Sequence, residues 1–371
     1  MIPLFRPCMG DEEVDAVAKV IRSGWIGLGP ETRQFEEKFA AYIGTKYAVG
    51  VNSATAALHL AMKVMGVEEG EVITTPMTFV STNHAILYNN AVPVFCDIEP
   101  DTLNIDADRI EPLVTRKTKA VVVVHYGGYA VNMDKVMEIA GRYDLNVIED
   151  VAHGCGGEYR KRKLGSLGDI GCFSFHAVKN LATGDGGMIT TNDTEIYQRL
   201  MKLRWVGIAK STWSRDVEDS KGYSWSYNVE ELGFKYHMND ITAAIGLVQL
   251  AKLDSMNKRR KEISRRYSEA FSSCGKIQIP TMKDYMTKPA CHNYVIKLDK
   301  RDGLNDYAKQ HGFSTGVHYI PNNHYDMYRD FRGETPVSDA VWKKLLTLPL
   351  YPDLKDEEVA LIVNSVLEFC K

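Results

Sequence analysis

No run in this 371-residue chain approaches the roughly eighteen uninterrupted apolar residues of a membrane span. Its start, Met1-Ile2-Pro3-Leu4-Phe5-Arg6-Pro7, lacks the charged-then-apolar layout of an export signal, so a cytoplasmic protein with no membrane association is expected. There is no excess of positive charge: the net charge is -3, which leaves no electrostatic footprint for nucleic acid. The seven cysteines (Cys8, Cys96, Cys155, Cys172, Cys274, Cys291 and Cys370) form no C-x-x-C pair, and their odd number and scatter read as reduced thiols. Also missing are G-x-x-x-x-G-K-[ST], H-E-x-x-H and G-x-S-x-G. Gly184-Asp185-Gly186-Gly187 does not match the dinucleotide fingerprint, so a nicotinamide enzyme is a weak reading. No metal site is expected, and the partners left are small molecules or another copy of the chain.

Composition is that of a folded protein, 44% hydrophobic and 25% charged, and the length predicts two domains. Asp11 opens a helix with Val14, Val17, Ala18 and Ile21 at helical spacing, stopped by Gly24, and a second helix runs through Phe35 and Phe39. Predicted strands at 47–51, 71–75, 92–97, 120–125 and 145–150 then alternate with predicted helices at 55–65, 81–88, 106–114 and 133–143. Apolar strands separated by helices indicate an α/β protein with a mostly parallel sheet covered on both faces, whose ligands sit beyond the strand carboxyl ends. His125, Asp150 and Lys179 fall at such ends. The aromatic-rich stretch 205–233, with Trp205, Trp213 and Trp225, reads as a surface hairpin or short helices, or else as a lid or a dimer arm. A long helix follows from Asp240, with Lys258-Arg259-Arg260-Lys261 as its solvated face. A strand at 294–298, a helix at 303–311, a strand at 315–320 and two helices ending near Phe369 make a smaller α+β unit. The expected domains are 1–250 and 251–371.

The chemistry centres on Ser174-Phe175-His176-Ala177-Val178-Lys179, where an alternating apolar strand runs into a lysine and a glycine-dense turn. Only about one ordinary lysine in 2,500 is neutral at pH 7, so a nucleophilic one must be desolvated or set near positive charge. Such amines are commonly stored as an imine with an aldehyde cofactor. Pyridoxal 5'-phosphate (PLP) asks in addition for a carboxylate at its ring nitrogen, a phosphate cup, a stacking aromatic and a contact at the ring edge. Asp150 closes an apolar strand; Asn52-Ser53-Ala54-Thr55-Ala56-Ala57 joins a strand to a helix as an anion site would; Phe79 follows a strand end; His153 lies three residues after Asp150. Each also has a commoner use: a turn cap for Asp150, an N-cap for Ser53, core for Phe79, a structural ring for His153, a loop cation for Lys179.

Together these residues resemble the DegT/DnrJ/EryC1/StrS family of nucleotide-sugar aminotransferases, which are PLP enzymes of fold type I. Ser53-Ala54-Thr55, Thr78-Phe79-Val80, Glu149-Asp150-Val151-Ala152-His153, Lys179 and Gly186-Gly187 match in order and spacing, as do Ser23-Gly24-Trp25 and His318-Tyr319-Ile320-Pro321. The resemblance implies a large PLP-binding domain and a smaller C-terminal one. It implies Lys179 as the Schiff-base lysine, Asp150 at the pyridine nitrogen, Ser53, Ala54, Thr55 and Ser174 at the phosphate, Phe79 on the ring and His153 in contact with it. A homodimer with shared sites is implied, the neighbour contributing Lys235 or His237 from the segment 233–240, where His237 stands in place of a common asparagine. Trp25, His318, Tyr319 and His324 are implied at the sugar nucleotide, although Asn322-Asn323-His324 departs from the family's wording. The expected reaction is ping-pong transamination through Lys179 from glutamate to a nucleotide-linked keto sugar, a 4-keto sugar by preference. Two alternatives are another chemistry on the same fold, such as a desulfurase or a sugar dehydratase, the latter opposed by Lys179 because a histidine replaces it there, and a silent binding or regulatory protein on the same scaffold.

Overall fold

In the computed structural model, residues 1–208, 227–331 and 333–371 are described. The N-terminal helices α1 (Asp11–Ser23) and α2 (Pro30–Ile43) lead into an alternating run: β1 (Tyr47–Val51), α3 (Ala54–Val64), β2 (Glu71–Thr74), α4 (Val80–Tyr88), β3 (Val92–Phe95), β4 (Thr118–Val124), α5 (Met133–Tyr143) and β5 (Asn146–Asp150). A small hairpin, β6 (Glu158–Tyr159) and β7 (Arg162–Lys163), precedes β8 (Ile170–Ser174), β9 (Gly187–Thr191) and α6 (Thr194–Leu203). The C-terminal part comprises α7 (Asp240–Phe271), β10 (Tyr294–Lys297), α8 (Arg301–Gln310), α9 (Pro336–Val341), β11 (Leu345–Leu348) and α10 (Asp356–Phe369). Among the described residues no helix is long and apolar enough to cross a membrane.

Seven strands form one sheet in the order β1-β9-β8-β5-β4-β2-β3, and β9 alone runs against the rest. The mostly parallel sheet is therefore as the sequence predicts. Continuous apolar strands such as Val121-Val122-Val123 bury side chains on both faces, feeding one core under α2, α5 and α7 and a second under α3 and α6. The carboxyl ends of β1, β2, β4, β5 and β8 lie along one edge, and the antiparallel β9 begins there. A third core belongs to α8, α10 and the β10/β11 pair. Position 250, the expected boundary, falls inside α7, which runs on without a break. It carries Ala243 and Leu253 into the first core and Ile263, Tyr267 and Phe271 into the third.

Several elements differ from the sequence reading. The predicted helix at 106–114 is two 3-10 turns, Ala107–Arg109 and Glu111–Leu113: its apolar residues Ala107, Ile110 and Leu113 recur every three positions, the repeat of a 3-10 turn, and Pro112 sits in the second. The stretch 315–320 makes a single bridge, Gly316 to Thr347, and then leaves the sheet. Strand β9, helix α6 and strand β11 were not anticipated. Trp213, Trp225 and the middle of the aromatic-rich stretch lie outside the described residues.

The end of β5 is fixed by a buried carboxylate. Glu149 accepts N–H bonds from Gly165 (2.9 Å), Leu167 (2.7 Å) and Gly168 (2.8 Å), and from His125 Nε2 at 2.9 Å. His125 Nδ1 accepts from Val131 N–H at 3.2 Å, which places the ring proton on Nε2. Burial pushes the Glu149 carboxyl up, but the bonds from His125 and the loop N–H groups outweigh it and leave the pKa lowered. Glu149→Leu, which strands four donors, is expected to cost about 3–5 kcal/mol of stability. His125→Gln, which can keep an N–H near Nε2, is expected to cost much less. Urea unfolding of both variants checks the ranking; an equal loss in the two would contradict it.

Candidate active site

At the sheet edge where the strands end, a cavity of about 360 Å³ opens between the large sheet and the segment after α8. Ser53, Ala54, Thr55, Phe79 and Asp150 line it. So do His153, Ser174, Lys179, His318 and Tyr319, so ten of the fourteen residues singled out in the sequence meet around one space. The other four do not. Trp25 donates from Nε1 to the carbonyl of Leu28 at 3.2 Å and packs against Gly29. His324 pairs with Asp339 at 2.6 Å. Lys235 lies over the Trp205 ring, its Nζ 3.4 Å from the centroid, and His237 meets the same indole edge-on at 4.3 Å.

Lys179 is half-buried and lines the cavity. Enclosure lowers its pKa to about 8, with the charge of Asp150 opposing the shift in part. At pH 7 about one amine in ten is then neutral, some two hundred times the ordinary fraction. Asp150 is buried at the end of β5. Its Oδ1 accepts from Ala152 N–H at 3.0 Å and its Oδ2 from the Thr82 hydroxyl at 2.8 Å. Burial raises its pKa, opposed by those two bonds and by the Lys179 charge. With its hydrogen committed to Asp150, Thr82 accepts from Thr78 at 2.8 Å, so Thr78, Thr82 and Asp150 form a relay.

The cup is the start of α3. Ser53 is its N-cap, accepting from Ala56 N–H at 3.1 Å, while the N–H groups of Ala54 and Thr55 precede the first intrahelical bonds and border the cavity. The Ser53 cap is thus compatible with an anion site at the same turn. Gly187 makes room for it: a Cβ there would stand 2.6 Å from the Ser53 carbonyl carbon and 2.8 Å from Ala54 N. Phe79 is 60% exposed although it borders the cavity, an aromatic face left for something else to cover. His153 Nδ1 accepts from Gly127 N–H at 3.3 Å, and burial holds the ring neutral, well below its usual pKa. Its proton therefore sits on Nε2 and is donated to the Tyr319 hydroxyl at 2.9 Å, leaving the Tyr319 O–H free to donate in turn. His318, pushed down to about 4 by burial and by Lys179, contacts the Thr347 hydroxyl through Nδ1 at 2.8 Å.

Sequence reasoning missed Thr82 and His292, both at the cavity wall. Thr82 stands four residues after Thr78, a helical spacing across the start of α4 that carried a signal. His292 precedes β10 with no pattern around it.

A neutralisable amine, a buried carboxyl, a helix N-terminus and an uncovered aromatic face, arranged around one cavity, suit a phosphorylated heteroaromatic aldehyde; these residues fit PLP. Among the described residues no group of three or more His, Cys, Asp or Glu is arranged to hold a metal ion.

Residues 7–367 match the DegT/DnrJ/EryC1/StrS aminotransferase family. The chain is 41% identical to the spore coat polysaccharide biosynthesis protein SpsC of Bacillus subtilis, over all of this chain and 97% of that one. Among solved structures it is similar to the aminotransferase TlmJ from Streptoalloteichus hindustanus (34% identity, TM-score 0.92, covering 99% of this chain and 98% of that one). It is also similar to Spr1654 from Streptococcus pneumoniae, described as a putative sugar aminotransferase, in its PMP form (30% identity, TM-score 0.93, all of both chains), a protein solved in its PLP form as well. With the family matched nearly end to end and the cofactor's requirements met in one cavity, the chain belongs to the DegT/DnrJ/EryC1/StrS aminotransferase family and is a PLP-dependent aminotransferase of fold type I.

Proposed function

We propose that the protein moves an amino group from glutamate to a nucleotide-linked keto sugar, a 4-keto sugar by preference, in two half-reactions that share Lys179. The observation that carries the reading is the meeting of Lys179, Asp150 and the Ser53-to-Thr55 turn at one cavity. The names of relatives agree with sugar chemistry: SpsC is named for spore coat polysaccharide biosynthesis, and PseC of Helicobacter pylori is described as an aminotransferase of pseudoaminic acid biosynthesis.

Bound PLP supplies a carbonyl that exchanges amino groups and a ring that withdraws electrons from the reacting carbon. With the cofactor bound, Lys179, with its lowered pKa, would act as the base and acid that moves the proton at the donor's α-carbon, and the same amine would serve the sugar side in reverse. The Asp150 carboxylate holds a proton on the pyridine nitrogen, oriented by Thr82 and Ala152. Ser53, Ala54, Thr55 and Ser174 would hold the phosphate, and Phe79 and His153 would hold the ring. His318 and Tyr319 face the substrate side. A homodimer completes the site, with Lys235 or His237 of a second copy reaching the phosphate. The exposure of Tyr227, Val229 and Leu232 beside that segment supports a covered surface there.

Mass spectrometry of products from glutamate and a panel of 4-keto and 3-keto nucleotide sugars tests the substrate class: amination of a 4-keto member is expected, and no amination of any nucleotide sugar would refute the reading. Asp150→Asn is expected to slow both half-reactions at least about a hundredfold, read by single-turnover absorbance; a near-normal rate would remove the role of Asp150. In cofactor-free protein, labelling of Lys179 by an amine-selective reagent should rise with pH around a midpoint near 8. Because the Asp150 charge favours the protonated amine, that midpoint should fall in Asp150→Asn.

A further inference from the structure

We propose that His292 is a positioning residue for the reacting amine: through Nδ1 it holds Asn180, and with it the turn that aims Lys179 into the cavity. The proposal rests on the reading of Lys179 as that amine and adds what fixes it in place.

Asn180 follows Lys179 directly and is buried. Its amide nitrogen donates to Asn257 Oδ1 and to the carbonyl of Ala290, both at 2.8 Å. With both hydrogens used, Oδ1 is the atom turned to His292, 3.0 Å from Nδ1. His292 must therefore carry its proton on Nδ1 and donate it.

The ring is held on each side. It lies parallel to Phe5 at 5.4 Å and stacks on His153 at 4.6 Å, while its backbone N–H donates to Gly127 at 2.9 Å. Gly127 N–H in turn donates to His153. Burial, with the charges of Lys179 and Arg260 adding to it, keeps His292 neutral. Asn257 belongs to α7 and donates to Cys155 at 2.9 Å, so Asn180 is tied to a helix as well as to the segment entering β10.

His176 to Lys179 are exposed or half-buried while Asn180 to Thr183 are buried, so the contacts of Asn180 join the amine-bearing part of the turn to its packed part. Without the His292 bond the Asn180 oxygen is buried and unpaired, and the turn relaxes toward water to satisfy it. The amine it carries then loses part of the enclosure that makes it reactive at neutral pH, and its aim in the cavity.

Two substitutions separate positioning from direct contact. In His292→Asn the amide nitrogen falls near the place of Nδ1 and can still donate to Asn180. In His292→Gln it falls near Nε2, and Asn180 loses its partner. The labelling midpoint of Lys179 in cofactor-free protein, near 8 in the parent, is expected to move toward the ordinary lysine value of about 10.4 in His292→Gln. The holoenzyme of that variant is expected to lose about 10- to 100-fold in kcat with little change in KM. His292→Asn is expected to recover the parent midpoint and to return kcat to within about fivefold. If His292→Gln does not fold, Asn180→Ala probes the same contact from the other side, with the same rise expected. An unmoved midpoint in these variants, or recovery by Gln and not by Asn, overturns the proposal. The labelling readout needs no sugar, so a wrong substrate class would leave it intact.

Discussion

The end of β5 places two carboxyl groups side by side and out of water, and the site depends on how differently they are satisfied. Successive residues of a strand point to opposite faces, so Glu149 and Asp150 meet different surroundings. Glu149 collects four donors, three backbone N–H groups and His125, and its pKa falls below the ordinary value. Asp150 collects two and faces the cavity, and burial leaves its pKa raised. A buried charge is tolerable only when its hydrogen-bonding capacity is met. Glu149 meets that condition within the fold and so can lock the 165–168 loop to the sheet. Asp150 is left with unused acceptor capacity on the side where a ligand cation would sit.

The same strand edge explains why distant residues converge. In a parallel sheet every strand delivers its following loop to one edge, which brings the turns after β1, β2, β5 and β8 together although the first and the last are more than a hundred residues apart in the chain. Strand β9 is the exception in direction, and its start lies at that edge too. There Gly187 passes so close to the Ser53 carbonyl that any side chain would displace the turn at the head of α3. The geometry of that turn therefore depends on a glycine from a distant strand.

Much of this was legible in the sequence because the signals were local. Val121 to Val124 alternates with no polar residue and had to be a covered strand; Lys179, Asp150 and Ser53 each stood where a strand pattern stopped. What escaped was set by pairing across the chain. Strand β9 starts at Gly187, where the glycine-rich turn ends, and is defined by its pairing with β1 and β8, as β11, Leu345 to Leu348, is by its pairing with β10. The irregular path of 315–320 arises because His318 and Tyr319 turn to the cavity, which no spacing rule encodes. Trp25 and His324, placed near the substrate by resemblance, are engaged within the chain by Leu28 and Asp339. Lys235 and His237 are held by Trp205, a contact invisible without the fold.

Contact between the C-terminal segment and the lysine turn gives the smaller core a bearing on the larger. Residues 290–293 do more than connect α7 to β10. Ala290, His292 and Asn293 all donate backbone N–H groups to Gly127 or Gly128, just past the end of β4. The approach is close enough that a Cβ on Gly128 would stand 2.8 Å from the His153 carbonyl oxygen and 3.0 Å from Cys291 N. Cys291 itself sits at a φ of 49°, a left-handed conformation seldom held by a side-chain-bearing residue unless its surroundings enforce it. The enforcing surroundings are the Gly127 and Gly128 bonds on one side and β10 on the other. A displacement of the smaller core against the sheet would therefore reach His292 and His153 first, and through Asn180 it would reach Lys179. The amine is thus held by the loop that carries it and by the seam between the cores.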